Sequence, residues 1–218
     1  MKTTKVKLCG NRSLVDLKTT TTSTADYVGV IFSASKRQVN PFQLAEWIEK
    51  YPLQDNQQLV GVFVNEDIST ILNVLDNVNL DVIQLHGTET VPYILSLREQ
   101  VDIPIWKVIH HQRQGLQLMQ TYSGVVDGYV VDSKVQGAWG GSGITFDWEA
   151  VPSYLKEAQQ QGVPCFIAGG ITPQNVTQLL QYEPFGIDVS SGIETQDQKD
   201  DEKVASLLEE IHREVDVR

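Results

Sequence analysis

The 218-residue chain carries only two cysteines, Cys9 and Cys165, 156 positions apart. That excludes a disulfide framework and the spacing of a zinc-binding cysteine cluster, and it fits a reducing compartment. Long hydrophobic runs are missing as well. No stretch approaches the ~20 apolar residues that cross a bilayer. The run after Met1-Lys2-Thr3-Thr4-Lys5 stops at Cys9-Gly10, too short for the core of a signal peptide. The expectation is a cytoplasmic protein with no membrane partner. Positive charge is scarce: 17 Lys and Arg against 28 Asp and Glu give a formal net charge of −11. Such a field repels a phosphate backbone, so nucleic acid is not an expected partner. An anionic small molecule is still admissible if backbone N–H groups and a few placed cations meet it locally.

What is present reads as one well-filled core. Hydrophobic residues make up 41% and charged residues 21%, ordinary globular composition. Short apolar runs recur at Val6–Cys9, Tyr27–Phe32, Leu59–Val64, Val82–Leu85, Ile105–Ile109, Gly128–Val131, Cys165–Ala168 and Ile187–Val189. They are rich in Val and Ile with little polar alternation, as parallel strands buried on both faces are. Segments with helical spacing lie between them, among them Phe42–Ile48, Ile68–Leu75, Pro92–Arg98 and Val204–Ile211. Thr172-Pro173 reads as an N-cap followed by proline at the first helical position. The runs end 21 to 37 residues apart, which predicts a single (β/α)8 barrel over residues 1–218. A doubly wound open sheet is the rival. It calls for a glycine-rich dinucleotide fingerprint after the first strand, and Gly10-Asn11-Arg12-Ser13 does not supply one.

In a barrel the chemistry sits at the carboxyl ends of the strands. That rule selects Cys9, the loop Ser33–Arg37, Gln84-Leu85-His86-Gly87, Asp132, Gly169-Gly170 and Asp188-Val189-Ser190-Ser191-Gly192. The glycine-bearing loops after strands seven and eight are where many barrels bind phosphate, since glycine lets backbone N–H groups approach it closely. Cys9 beside Lys7 is a candidate base or nucleophile with a thiol pKa lowered by neighbouring cations. The bland alternative is a small buried hydrophobe, which is how Cys165 reads. Asp132 ends an apolar strand, where an acid is costly unless paired or catalytic. His86 reads as a neutral hydrogen-bonding group at the rim, on the same strand face as Gln84. Arg37 offers a planar fork for a carboxylate, or is a solvated loop charge. His110-His111 has no carboxylate or cysteine at ligand spacing, so no metal is expected. Gly137, Gly140, Gly141 and Gly143 predict a long loop after Asp132.

Taken together, Lys7-Leu8-Cys9-Gly10, Gln84-Leu85-His86-Gly87, Asp132 with Gly140-Gly141-Ser142-Gly143, Ala168-Gly169-Gly170-Ile171-Thr172-Pro173, and Gly186–Glu194 resemble the phosphoribosylanthranilate isomerase family. The motifs run in the family's order over nearly the whole chain. The resemblance implies an Amadori rearrangement without cofactor, with Asp132 as general acid and Cys9 as general base. It implies Arg37 at the anthranilate end, Gln84, His86, Gly141 and Asp188 as substrate contacts, and Gly169, Gly170, Ser190, Ser191 and Gly192 around the phosphate. The implied partner is a phosphosugar, and the chain is expected as a monomer or homodimer. Asn11-Arg12, the absence of proline shortly before Arg37, and Thr195–Asp200 depart from the family pattern. Other phosphosugar barrels would want a lysine near Asp132, paired His and Asp metal ligands, or aspartate in place of Cys9. A non-catalytic phosphometabolite-binding barrel would need neither Cys9 nor Asp132.

Overall fold

In the computed structural model, residues 4–133 and 147–217 are described. Eight parallel strands close into a barrel: β1 (Lys5–Leu8), β2 (Tyr27–Ile31), β3 (Gln58–Phe63), β4 (Val82–Leu85), β5 (Ile105–His110), β6 (Gly128–Asp132), β7 (Cys165–Ala168) and β8 (Gly186–Val189). β1 closes the ring against β8, with Lys7 opposite Asp188 and Leu8 opposite Val189. The helices that follow the strands are α1 (Leu14–Thr21), α2 (Pro41–Lys50), α3 (Ile68–Leu75), α4 (Val91–Arg98), α5 (Gly115–Thr121), α6 (Val151–Gln161), α7 (Val176–Leu180) and α8 (Asp201–Val217). A two-residue hairpin, β9 (Glu194–Thr195) with β10 (Gln198–Lys199), lies between β8 and α8.

The helix starts follow from local chemistry. Ser13 and Asn40 accept from the backbone N–H groups of Asp16 and Phe42, and Pro41 opens α2 where no N–H is needed. Gly162 ends α6 in the left-handed conformation at φ 75°. One expected start is corrected. α7 begins at Val176, not at Pro173, and Thr172 does not cap it. The Asn175 side chain instead accepts from the Thr172 N–H at 2.8 Å and donates to the Gly170 carbonyl at 3.0 Å, holding residues 170–175 as a tight turn. The expected strands are all present, with ends displaced by a residue or so. The Thr-rich tract at 19–24 in part completes α1, where Thr20 donates from Oγ1 to the Asp16 carbonyl at 3.0 Å.

Strand parity divides the core into two layers. Val6, Leu8, Ile105, Ile109, Ile167 and Ile187 face the helices. Val60, Val82, Trp106, Val108, Val130 and Phe166 face the barrel axis. The Trp106 and Phe166 rings lie 4.8 Å apart, and Tyr27 meets both edge-on. These aromatics fill the lower barrel. Above them, toward the carboxyl ends of the strands, the inward positions turn polar: Lys7, Gln84, Asp132 and Asp188, all buried.

Candidate active site

A pocket of about 770 Å³, counting the space open to solvent, occupies the carboxyl-terminal mouth of the barrel. That is a volume ordinary for small-molecule sites. Its lining unites most of the residues selected from sequence: Cys9, Arg37, Gln84, His86, Asp132 and Asp188, with Gly169, Gly170, Ser190, Ser191 and Gly192 along one end. Gly141 lies outside the described residues, as does the rest of the glycine-rich loop over 134–146.

Cys9 follows β1, and its N–H donates to the Val189 carbonyl at 2.8 Å, fixing it to the end of β8. Its side chain and that of Lys7 both sit over Gly29 of β2. A Cβ there would meet Cys9 Sγ at 2.7 Å and Lys7 Nζ at 3.0 Å. Lys7 Nζ donates to both oxygens of Asp188 at 3.0 Å. Burial alone disfavours the Lys7 ammonium, but Asp188 and the Cys9 sulfur more than offset it, so its pKa is raised. The expected lowering of the Cys9 thiol is corrected. Burial pushes its pKa up, and this outweighs the opposing pull of Lys7 and the more distant Lys199. Burial thus favours the protonated thiol, with a cation fixed beside the place where its thiolate forms.

Across the mouth, Asp132 closes β6. It is buried, and its Oδ2 lies 3.3 Å from His86 Nε2. The contact is short, yet His86 Nε2 makes no hydrogen bond among the described residues. Gln84 Nε2 is 3.4 Å from His86 Nδ1, as their shared strand face requires. Gln84 Oε1 is buried with no hydrogen-bond partner among the described residues, an acceptor that a bound hydroxyl or N–H would satisfy. His110 does not line the pocket. It stands behind His86, with ring centroids 5.2 Å apart.

Arg37 is not a solvated loop charge. Its Nε and Nη2 donate to Glu194 Oε1 at 3.0 Å and Oε2 at 2.6 Å, and both side chains are almost fully buried. Lys199 Nζ also donates to Glu194 Oε1 at 2.9 Å and to the Ser190 carbonyl. Burial by itself raises the Glu194 carboxyl, but the hydrogen bond from Arg37 and the charge of Lys199 reverse this and hold it below the usual range. Lys36 pairs with Asp197, so the loop after β2 is tied twice to the β9–β10 segment. Sequence reasoning missed Glu194 and Lys199 as part of this rim. The available signal was weak: Glu194 only closes the Gly186–Glu194 motif, and Lys199 lies in the polar Thr195–Asp200 stretch that departs from the family pattern.

At the glycine end, Gly169 and Gly170 take φ of 88° and 64°, conformations that L side chains rarely adopt. Gly192 abuts the neighbouring loop so closely that a Cβ would lie 1.8 Å from the Ile171 carbonyl oxygen. The loops after β7 and β8 are thus packed back to back and present their backbone to the pocket.

The sequence model of the N-(5'-phosphoribosyl)anthranilate isomerase family matches residues 6–210. The N-(5'-phosphoribosyl)anthranilate isomerase of Geobacillus thermodenitrificans is 52% identical over 205 residues, covering 94% of this chain and 92% of that protein. That of Bacillus subtilis is 43% identical over 217 residues, covering 100% and 99%. The crystal structure of phosphoribosyl anthranilate isomerase from Thermotoga maritima superposes with a TM-score of 0.82 at 28% identity, over 96% of this chain and 99% of that one. A crystal structure of such an enzyme in complex with reduced 1-(o-carboxyphenylamino)-1-deoxyribulose 5-phosphate superposes at 0.80 and 27% identity, over the same shares.

Proposed function

The chain belongs to the N-(5'-phosphoribosyl)anthranilate isomerase family, and on that premise we propose how its own residues carry out the reaction. The activity is an aldose–ketose isomerisation of tryptophan biosynthesis. We take residues 1–218 as one catalytic domain and N-(5'-phosphoribosyl)anthranilate as its phosphosugar substrate.

Asp132 delivers a proton to the ribose ring oxygen, and the C1–O bond breaks to leave a Schiff base. Cys9, in its thiolate form beside the Lys7 ammonium, removes the proton from C2, giving an enolamine that tautomerises to the ketone. The observation that carries this reading is that one pocket has Cys9 on the β1 wall and Asp132 on the β6 wall. An acid and a base are needed at different atoms of one sugar, and proton transfer by positioned groups is worth about 10²–10⁴ in rate. The glycine loops after β7 and β8 hold the phosphate away from the reacting carbons, which orients the ring and lowers the entropic part of the barrier. Gln84 Oε1 accepts from the substrate, and His86 packs beside Asp132, its Nε2 3.3 Å from Oδ2. Asp188 acts through Lys7: it fixes the ammonium that faces the Cys9 sulfur. Arg37 meets the anthranilate carboxylate from the rim, where Glu194 holds its fork in place.

The test follows loss of the fluorescence of phosphoribosylanthranilate made in situ. Cys9→Ala and Asp132→Asn each lower turnover by at least about 10²–10⁴, while both still bind a product analogue. Near-normal turnover in either variant removes that residue from the mechanism.

A further inference from the structure

The proposed acid belongs to a cluster whose third member, His110, the reaction does not use. His110 and Asp132 end β5 and β6, His86 follows β4 directly, and one ligand-type atom from each lies within 4.8 Å of the others. His110 and Asp132 are paired in the β5–β6 register, which is why sequence spacing did not reveal the carboxylate beside the histidine.

We propose that these three side chains bind a borderline transition-metal dication such as Zn²⁺, and that the bound ion switches the enzyme off. Two imidazoles and a carboxylate are the donor set such ions prefer, with a fourth position left for water. Two ligand atoms held at about 2.0–2.1 Å around a tetrahedral ion are roughly 3.3–3.4 Å apart, and His86 Nε2 and Asp132 Oδ2 stand 3.3 Å apart. The missing hydrogen bond between them fits as well. A shared tetrahedral ion needs each lone pair to point roughly 35° off the line that joins the atoms, whereas a hydrogen bond wants them in line. His110 Nε2 lies 3.1 Å from the His86 carbonyl oxygen, an anchor of the kind that orients a ligating imidazole. Closing the third ligand takes a side-chain rotation. Hard ions such as Mg²⁺ are poor occupants, because the set offers nitrogen and only one carboxylate. The inhibitory part rests on the reading of Asp132 as the acid: a carboxylate bound to a dication cannot hold the proton it must deliver.

The experiment titrates the metal-free 218-residue chain with Co²⁺, followed by its visible absorption, and with Zn²⁺, followed by turnover and by calorimetry. The expected result is one ion per chain, inhibition by Zn²⁺ that a chelator reverses, and no competition from Mg²⁺. His110→Gln keeps metal-free turnover and weakens binding at least about tenfold, since even partners outside the ligand set cost that much. His110→Asn serves the same purpose if the glutamine variant does not fold. Absence of uptake overturns the site. So does uptake that neither His110 variant changes, as when the ion sits on the Cys9 thiolate and Cys9→Ala removes it. Uptake that depends on His110 but leaves turnover intact supports the ion site and overturns Asp132 as the acid.

Discussion

Two lysines are buried in the barrel wall, Lys7 on β1 and Lys107 on β5, and each pairs with one carboxylate at 3.0 Å. They face opposite ways. Lys7 sits on the axial face between Asp188 and the Cys9 sulfur, and its pKa is raised. Lys107 sits on the helix-facing side. It donates to the Leu85 and Gly87 carbonyls and to Glu89, and burial dominates, so its pKa is lowered. Glu89 in turn accepts from the N–H groups of Asn65 and Gly87. The same residue type is a tuning charge on one face and a loop fastener on the other. The difference lies in what surrounds the ammonium: a thiol and an open pocket, or saturated backbone carbonyls.

The sharpest test replaces each with a near-isosteric methionine. Removing one partner of a buried ion pair costs about 3–5 kcal/mol. Lys7→Met incurs that loss and a kinetic one. Without its ammonium the Cys9 thiol moves further up, so the limb of the kcat/KM profile governed by the thiolate moves to higher pH. At a pH below that limb the rate falls about tenfold per unit of movement. A pH–rate profile on the folded fraction checks this, and an unmoved limb would separate Lys7 from the chemistry. Lys107→Met shows a stability loss of the same order in urea unfolding, with the limb unmoved and turnover per folded molecule kept. If it moves the limb as Lys7→Met does, the two faces are not distinct.

The rim gives smaller effects. Arg37→Ala loses a charge-assisted contact worth about 1.5–3 kcal/mol, roughly ten- to a hundredfold in kcat/KM with phosphoribosylanthranilate. An analogue without the carboxylate barely distinguishes the variant from the parent. Equal losses on both compounds would assign Arg37 to its Glu194 pair alone. Gly170→Val places a β-branched residue at φ 64°, a backbone cost of roughly 1–2 kcal/mol. It also puts a side chain where the phosphate approaches. KM rises, and inorganic phosphate stops acting as a competitive inhibitor. Persistent phosphate inhibition would move the phosphate grip away from this loop.

Local signals carried much of this protein. The Val- and Ile-rich runs specified eight strands because a strand buried on both faces has one composition. Once the strands were counted, the carboxyl-end rule picked out Cys9, Asp132 and the glycine loops. Parity put Gln84 on the same strand face as His86, and Lys7 was visible as a cation two residues from Cys9. Asn175 escaped this reading because Thr172-Pro173 imitates a helix start, while the turn is decided by the reach of the Asn175 amide to residues on both sides of it.

The chain order by itself determined the number of strands, the faces their side chains take, and which ends carry chemistry, because period and turn composition are local properties. Closure of the barrel decided the rest. Lys7 meets Asp188 across 181 positions, Arg37 meets Glu194 across 157, and Asp132 gains two histidines from separate strands. Even the direction of the Cys9 shift was out of reach of a local reading. The neighbouring cation was visible two residues away, but the burial that outweighs it exists only once β1 and β8 are joined and the helices enclose them.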